Sequence, residues 1–440
     1  MVRRQSRMRW VGALVALVVV GLAAGCGGEE SAPPETTPAE TTPAETTPAE
    51  STPAETAATE DPFATPNAAT GEPLVFGLLN TEAGPVSFPE VRIAAEAAAQ
   101  YLNEYQGGIN GRPITIESCI TDLQPSTSER CANQLLDENP VAILGGADPG
   151  SPGSISVWER ANLAYLGGAP FTPVEQASPN AVIFSSISIG DNAAASVYAA
   201  TELGAKTAAV IYADDPPGQF SALAVIVPTM KNAGITKVTE VPIPTTAADA
   251  SSYAAAAWAD QPDVIYVDSP GQCAAILKGL VDVGSTAKLL GIDQCSDPRT
   301  IEASGGGAEG LYFAAPVLPL NIDDPEVNLF KAVMAKYAPA DTKLTTLTVL
   351  GFQTVMNVWA TLSALPEDQL TTEAILNAFR TGSDHPNFMA HPYTCDGNQI
   401  AGAPATCNGW QVLVQIQDGV PVKIGDWITA GDYYQPAPAG

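Results

Sequence analysis

The aspartate of Gly291-Ile292-Asp293-Gln294-Cys295 follows a short apolar run, Lys288 to Ile292, that reads as a buried strand. An acid placed there stands at a strand's carboxyl end, where open α/β sheets hold their ligands. From the residues alone two roles are open. Asp293 is a ligand contact, or it caps the turn that follows, a job for which Asp297 is equally suited. A second stretch with chemical potential is Gly145-Gly146-Ala147-Asp148-Pro149-Gly150-Ser151-Pro152-Gly153-Ser154, just before a helical pattern. Free N–H groups at a helix amino terminus favour a carboxylate, so Asp148, Gly150 and Ser151 are candidate ligand contacts, against the alternative of a plain Gly/Pro turn. No GK[ST] follows, which excludes a phosphate loop. His385 and His391 lie near Asp384, but loop histidines beside a cysteine pair are more often structural, and no metal is expected. The chain lacks a nucleophile elbow, an HExxH helix and a dinucleotide fingerprint, so neither an enzyme nor a cofactor is expected.

These residues need a scaffold. From Leu74 onward, short aliphatic or β-branched runs alternate with Ala-rich helical stretches, the pattern of right-handed βαβ units in mainly parallel sheets. The run of strand candidates is too long for one comfortable sheet, which predicts two doubly wound, Rossmann-like α/β lobes. Beyond Asp324 the rhythm changes to three helical stretches and a hairpin pattern around Asp418-Gly419.

The amino terminus sets the compartment. Arg3, Arg4, Arg7 and Arg9 precede an apolar run from Trp10 to Ala24, the layout of a secretory signal, here 1–25. Ala23-Ala24-Gly25-Cys26 resembles a bacterial lipobox, so Cys26 is the expected lipid anchor, with an ordinary signal peptide or an uncleaved anchor as the alternative. Residues 26–72, with their ETTPA and ESTPA pentads, form an expected Pro-stiffened, disordered tether. The whole chain carries 19 Lys and Arg against 48 Asp and Glu, an imbalance that argues against nucleic acid as a partner. The six cysteines besides Cys26 suit an oxidising space, and pairing of sequence neighbours predicts Cys119–Cys131, Cys273–Cys295 and Cys395–Cys407.

Particular residues then look familiar. The stretch Gly107-Gly108-Ile109-Asn110-Gly111-Arg112, followed by Asp122, resembles the helix-to-strand passage of type I periplasmic binding proteins. Gly84-Pro85, Gly145-Gly146, Asp191 and Asp297-Pro298 match further landmarks, and the likeness runs from Leu74 to Trp427. Among members, the chain is similar to the leucine and branched-chain amino acid-binding components of ABC transporters. The resemblance implies two lobes joined by three crossovers, near Ser186–Asp191, Ala314–Leu318 and Phe388–Cys395, that close on a solute between them. Lobe 1 would comprise 73–188 and 317–390, and lobe 2 189–316 and 391–440. It further implies a second carboxylate-binding loop at Ala169 and Phe171, an apolar wall including Phe88, and an acid at Asp293 that pairs with the solute's ammonium. In lobe 2, Gly218 and Pro270 are candidates in loops where similar proteins carry aromatic residues; here Pro217 and Pro270 stand instead. The expected function is therefore an extracytoplasmic, monomeric receptor that passes a branched-chain amino acid, or a related small acid or amide, to permease subunits driven by an ATPase. An envelope sensor using the same closure is the alternative.

Overall fold

The computed structural model describes residues 61–84, 86–366 and 369–436. The expected signal peptide, Cys26, most of the expected tether and Pro85 lie outside them. The first sheet is laid down by β1 (Leu74–Thr81), α1 (Pro89–Tyr105), β2 (Ile114–Thr121), α2 (Pro125–Leu136), β3 (Ala142–Gly145), α3 (Ser151–Arg160), β4 (Tyr165–Leu166), α4 (Pro173–Ala177) and β5 (Ala181–Val182). The second follows with α5 (Gly190–Thr201), β6 (Thr207–Ala213), α6 (Pro216–Gln219), α7 (Val227–Asn232), β7 (Lys237–Ile243), α8 (Ser251–Trp258), β8 (Val264–Asp268), α9 (Cys273–Asp282), β9 (Lys288–Gly291), α10 (Pro298–Ala303) and β10 (Tyr312–Ala315). The chain then adds α11 (Pro325–Tyr337), α12 (Thr346–Leu362) and α13 (Thr372–Arg380), and ends in the hairpin β11 (Gln411–Gln417) and β12 (Val420–Ile428).

The strand orders are β2-β1-β3-β4-β5 and β12-β11-β10-β9-β8-β6-β7. Read from its other edge, the second sheet repeats the order of the first and adds the antiparallel hairpin to β10. All pairs within the shared pattern are parallel. Helices cover both faces, so β1, β3 and β8 read as almost unbroken apolar runs and are buried nearly throughout. In each sheet the order reverses between the first and third strand, β1/β3 and β6/β8. Crevices outside the carboxyl ends of such switch points are where open α/β sheets bind ligands.

The two largest cores lie around Phe76, Leu144, Phe330 and Phe352 and around Ile211, Tyr266, Leu277 and Val414. The helices after β10 return to the first lobe. Gly351 of α12 lets that helix approach α1, and a Cβ there would lie 2.3 Å from the Val91 carbonyl oxygen. Gly351→Ala should cost about 1–3 kcal/mol by overpacking, read as a lower chemical-denaturation midpoint with an unchanged slope. The hairpin turns at Asp418-Gly419 with φ of 52° and 75°, the positive pair that a type I′ turn requires.

Three features depart from the sequence-based expectation. The helical pattern that the sequence shows over 219–234 is interrupted by a π-helical stretch, Phe220–Ile226, because Pro228 supplies no N–H and crowds the carbonyl four residues back. The segment that follows the expected crossover Phe388–Cys395 does not settle on the second lobe alone but has partners on both. Thr394 N–H bonds the Cys407 carbonyl, Cys407 N–H bonds the Ile183 carbonyl and Ala405 N–H bonds the Gln176 carbonyl, which ties its ends to lobe 1, while Ile400 and Ala403 between them pack with Ala193 and Val197 of α5. Residues 61–72, read as the end of the tether, have partners on lobe 1. Phe63 packs among Tyr101, Tyr105 and Tyr337 with Lys336 Nζ 4.2 Å from its ring centre, and the N–H groups of Asn67 and Ala69 bond the carbonyls of Glu104 and Asn103. One aromatic side chain is what the Thr/Pro/Glu composition upstream lacks. The structure joins Cys119 to Cys131, Cys273 to Cys295 and Cys395 to Cys407.

Candidate functional site: a carboxylate-lined cleft

On lobe 1 the carboxyl ends of β1 and β3 meet around Asp148, which is 2 % exposed. Its Oδ1 accepts hydrogen bonds from Thr121 Oγ1 (2.9 Å), Ser128 Oγ (3.0 Å) and the Gly150 N–H (3.2 Å), and Thr81 Oγ1 stands at 3.5 Å. Among the described residues its Oδ2 has no partner. Burial raises the Asp148 pKa, and these hydroxyls oppose the rise. The donors expected to greet a ligand are thus already engaged. Gly150 N–H serves Asp148, Ser151 N–H bonds the Asp148 carbonyl at 2.9 Å, and Ala169 N–H bonds the Gly146 carbonyl at 3.0 Å. Ser151 and Thr172 share a 2.8 Å hydroxyl contact, and Gly168 N–H reaches Thr354 Oγ1 at 2.9 Å. Phe88 and Phe171, both partly buried, stack on each other with centroids 5.7 Å apart. The sequence places both after strand carboxyl ends, and the fold unites them.

Lobe 2 presents acids. Asp268 ends β8 and is 5 % exposed, with no described partner for Oδ2. The β8–β9 register pairs Val267 with Gly291, so Asp268 and Asp293 come to the same edge of adjacent strands. Asp191 lies in the first turn of α5. A buried polar relay fixes that helix over the sheet: Tyr266 OH donates to Asn192 Oδ1 at 2.8 Å, and Asn192 Nδ2 donates to Ser221 Oγ at 2.7 Å. Ser221 belongs to the π-helical stretch, and its side chain also bonds Asp268. Tyr266 and Asp268, two residues apart on one strand, face the same side, toward α5.

Electrostatics follow from this arrangement. Burial pushes Asp191 up to about 7, helped by the Asp293 and Asp268 charges. Burial likewise takes Asp268 to about 6, with Asp215 adding to it. Asp293, half-buried, is also raised by desolvation, against a hydrogen bond from the Thr346 side chain and one from the Gln294 backbone. Thr346 opens α12, which packs in the core of lobe 1, so the Asp293 carboxylate faces a hydroxyl from the opposite lobe. The cap role belongs to Asp297, whose carboxylate accepts the Arg299 N–H at 2.9 Å.

The remaining candidates lie apart from this chemistry. Gly218 is buried with its N–H on Asp215 Oδ1 at 2.8 Å, and Pro270 is exposed at the start of a short 3-10 turn. Neither His385 nor His391 joins a metal cluster; among the described residues no group of His, Cys, Asp and Glu is placed to hold a metal ion. His385 stacks on Tyr393, and His391 on Trp410. Asp191, Asp268 and Thr346 were not singled out as site residues by sequence reasoning. The signal available for Asp268 was an acid closing the otherwise apolar Val264–Val267 run.

Residues 73–406 match the family model described as periplasmic binding protein. The chain belongs to that family. Its members work by binding solutes outside the cytoplasm, and the two-lobed α/β build is their type I fold. Solved structures agree in fold. An ABC transporter substrate-binding protein from Sphaerobacter thermophilus superposes with a TM-score of 0.68 at 19 % identity, over 82 % of this chain and 98 % of that one. A leucine-binding protein from Thermotoga maritima gives 0.61 at 20 %, over 81 % and 99 %. A fatty acid ABC transporter substrate-binding protein from Thermomonospora curvata gives 0.65 at 18 %, over 84 % and 96 %. No curated protein matches the chain by sequence. Among the described residues, no helix of this periplasmic binding protein is long and apolar enough to cross a membrane.

Proposed function

We propose that the chain is an exported, lipid-anchored receptor that captures a small amine-bearing solute of about amino-acid size between its lobes and presents it to an ABC permease. Asp293 carries this reading. It projects from the second lobe toward Thr346 of the first, half-buried, with no cation beside it among the described ion pairs. A closing cleft must not leave a carboxylate unpaired, because a buried lone charge costs several kcal/mol, and a solute ammonium removes that cost. The family and the neighbours named as transporter components support uptake. In this reading 73–188 and 317–390 are lobe 1, 189–316 and the final hairpin belong to lobe 2, and Phe88 with Phe171 supplies an apolar wall.

The test is a thermal-shift panel of amines, amino acids, amides and small carboxylates, followed by uptake in a deletion strain. A solute at about 100 times its dissociation constant should add roughly 2.7 kcal/mol of stability. A panel without any stabilising solute, or unimpaired uptake of the solute that binds, rejects the proposal. The anchor has its own test. Cys26→Ser should move the protein from the membrane fraction to the soluble or secreted fraction with solute affinity unchanged; continued metabolic lipid labelling of that variant would remove Cys26 from this role.

A further inference from the structure

The stacked rings of Phe88 and Phe171 come from separate loops of lobe 1, and one buried side chain ties those loops together. Asn80, near the carboxyl end of β1, is 1 % exposed. Its Nδ2 donates to the Phe88 carbonyl at 2.8 Å and to Glu82 Oε1 at 3.1 Å, and its Oδ1 accepts the Ala147 N–H at 3.0 Å. Two acceptors face the amide nitrogen and a donor faces the oxygen, so the group has a single orientation. The backbone around it is tied in the same sense. Thr81 N–H bonds the Ala147 carbonyl, Phe88 N–H bonds the Thr81 carbonyl, and Ala169 N–H bonds the Gly146 carbonyl. A Cβ at Gly146 would lie 2.1 Å from the Leu79 carbonyl oxygen and 3.1 Å from Asn80 Oδ1, so glycine at that position permits the close approach. Contacts therefore run from Phe88 through Asn80 and Ala147 to the loop of Ala169 and Phe171.

Glu82 steadies Asn80 and is itself held. Its side chain is 8 % exposed, and Arg92 of α1 grips both of its oxygens, Nε to Oε1 at 2.7 Å and Nη2 to Oε2 at 2.9 Å. Nη1 of the same arginine reaches Glu96 at 2.9 Å. A two-pronged bond of this kind sets direction as well as distance. Order already present in the empty protein is order that binding does not have to supply, so losing it lowers affinity.

We infer that Asn80 is a positioning residue for solute capture: with Glu82 and Arg92 behind it, it fixes Phe88 and the loop after β3, so that the aromatic wall meets the solute already formed. This rests on the receptor reading and adds to it the residues that hold its wall. Two measurements on the full chain in detergent test it. Ser87-Phe88 is the chain's single Ser-Phe pair, so serine labelled at its carbonyl carbon together with phenylalanine labelled at nitrogen gives one Phe88 amide resonance. That resonance should be sharp in the unmodified protein and displaced and broadened in Asn80→Asp, where an oxygen replaces the donor facing Glu82 and the Phe88 carbonyl. Calorimetry supplies the second measurement, with L-leucine, L-phenylalanine, leucinamide and 3-methylbutylamine as probes. Each probe that binds the unmodified protein should bind Asn80→Asp about tenfold more weakly. Arg92→Gln, at a side chain 23 % exposed, is the second variant should the first fail to fold. It leaves the Glu82 carboxylate buried without its cation and should move both measurements in the same direction, whereas Glu82→Gln/Arg92→Gln removes both charges and should bring both back toward the unmodified values. An unchanged Phe88 resonance in a folded Asn80→Asp or Arg92→Gln protein, a displaced resonance with probe affinity unchanged, or a double variant that binds no better than Arg92→Gln overturns the inference and leaves the receptor reading standing. Failure of all the probes to bind the unmodified protein overturns both.

Discussion

Asp293→Asn is expected to lower affinity for an amine-bearing solute by about 2–5 kcal/mol, the range seen when one member of a buried charge pair is truncated and the other is left unpaired. The empty protein should lose little stability. The Asp293 side chain has modest support, from Thr346 and the Gln294 backbone, and its pKa is raised by desolvation, so its charge is unfavourable in the absence of a cation. Asparagine keeps the size and one acceptor without that charge. Asp297→Ala is the contrasting variant four residues on. It removes the carboxylate that caps α10 and should cost about 1 kcal/mol of stability while leaving solute affinity alone. Calorimetry of both variants with the solute that stabilises the unmodified protein, together with unfolding curves, reads the two effects separately. Unchanged affinity in Asp293→Asn would make Asp293 a loop residue, and a fall in affinity for Asp297→Ala alone would exchange the two roles.

The order of elements was legible because each parallel strand is buried on both faces and so writes an apolar run, as in Leu74–Thr81 and Val264–Asp268. The hairpin was legible for a different reason, since Asp418-Gly419 is one of few dipeptides that accept two positive φ values. The site was legible only as a set of loop ends. Composition marks Gly145–Ser154 as rich in backbone N–H groups, but whether those groups are free depends on Asp148 turning inward to the hydroxyls of Thr121 and Ser128. Those partners stand 27 and 20 residues away in sequence. Asp268 was hidden in the opposite way, as the last letter of a strand. Its meaning comes from register with β9 and from a helix that crosses above it, neither of which a local pattern contains. The ties of Ala405 and Cys407 to lobe 1 are likewise hydrogen bonds, to Gln176 and Ile183, that no spacing announces.

The empty protein should lose stability as pH rises from about 5 to 8, and this is the second large effect. Unfolded aspartate and glutamate titrate near 3.9 and 4.3. In the folded chain Asp268 is pushed up to about 6, Asp191 to about 7, and Glu175 to about 8. Glu175 is 0 % exposed in the capping box of α4, with Tyr165 OH at 3.3 Å and the Asp148 charge nearby. Each of these groups holds its proton more tightly when folded than when unfolded. The folded state therefore binds more protons across this range, and stability falls as pH climbs toward each folded value and levels off beyond it. The rise at Asp268 corresponds to roughly 3 kcal/mol, and Glu175 extends the loss toward about pH 8. Acids held low, such as Asp263 with its three bonds from Lys206 and Thr207, act at the other end and are lost only below about pH 4. The unliganded protein should thus be most stable at about pH 4. Asp268→Asn should flatten the profile between about pH 4 and 6, and Glu175→Gln between about pH 4 and 8, since an amide cannot ionise. A cationic solute reverses the trend where its own nitrogen stays protonated: it binds the deprotonated cluster, so its affinity should rise from pH 5 to 8 while the bound protein keeps a flatter stability profile. Denaturation midpoints across pH, with and without solute, measure all of this. A flat or rising profile in the empty protein between pH 5 and 8, or variants that leave its slope untouched, would mean that the buried acids are paired in both states and that no cation is needed to balance them.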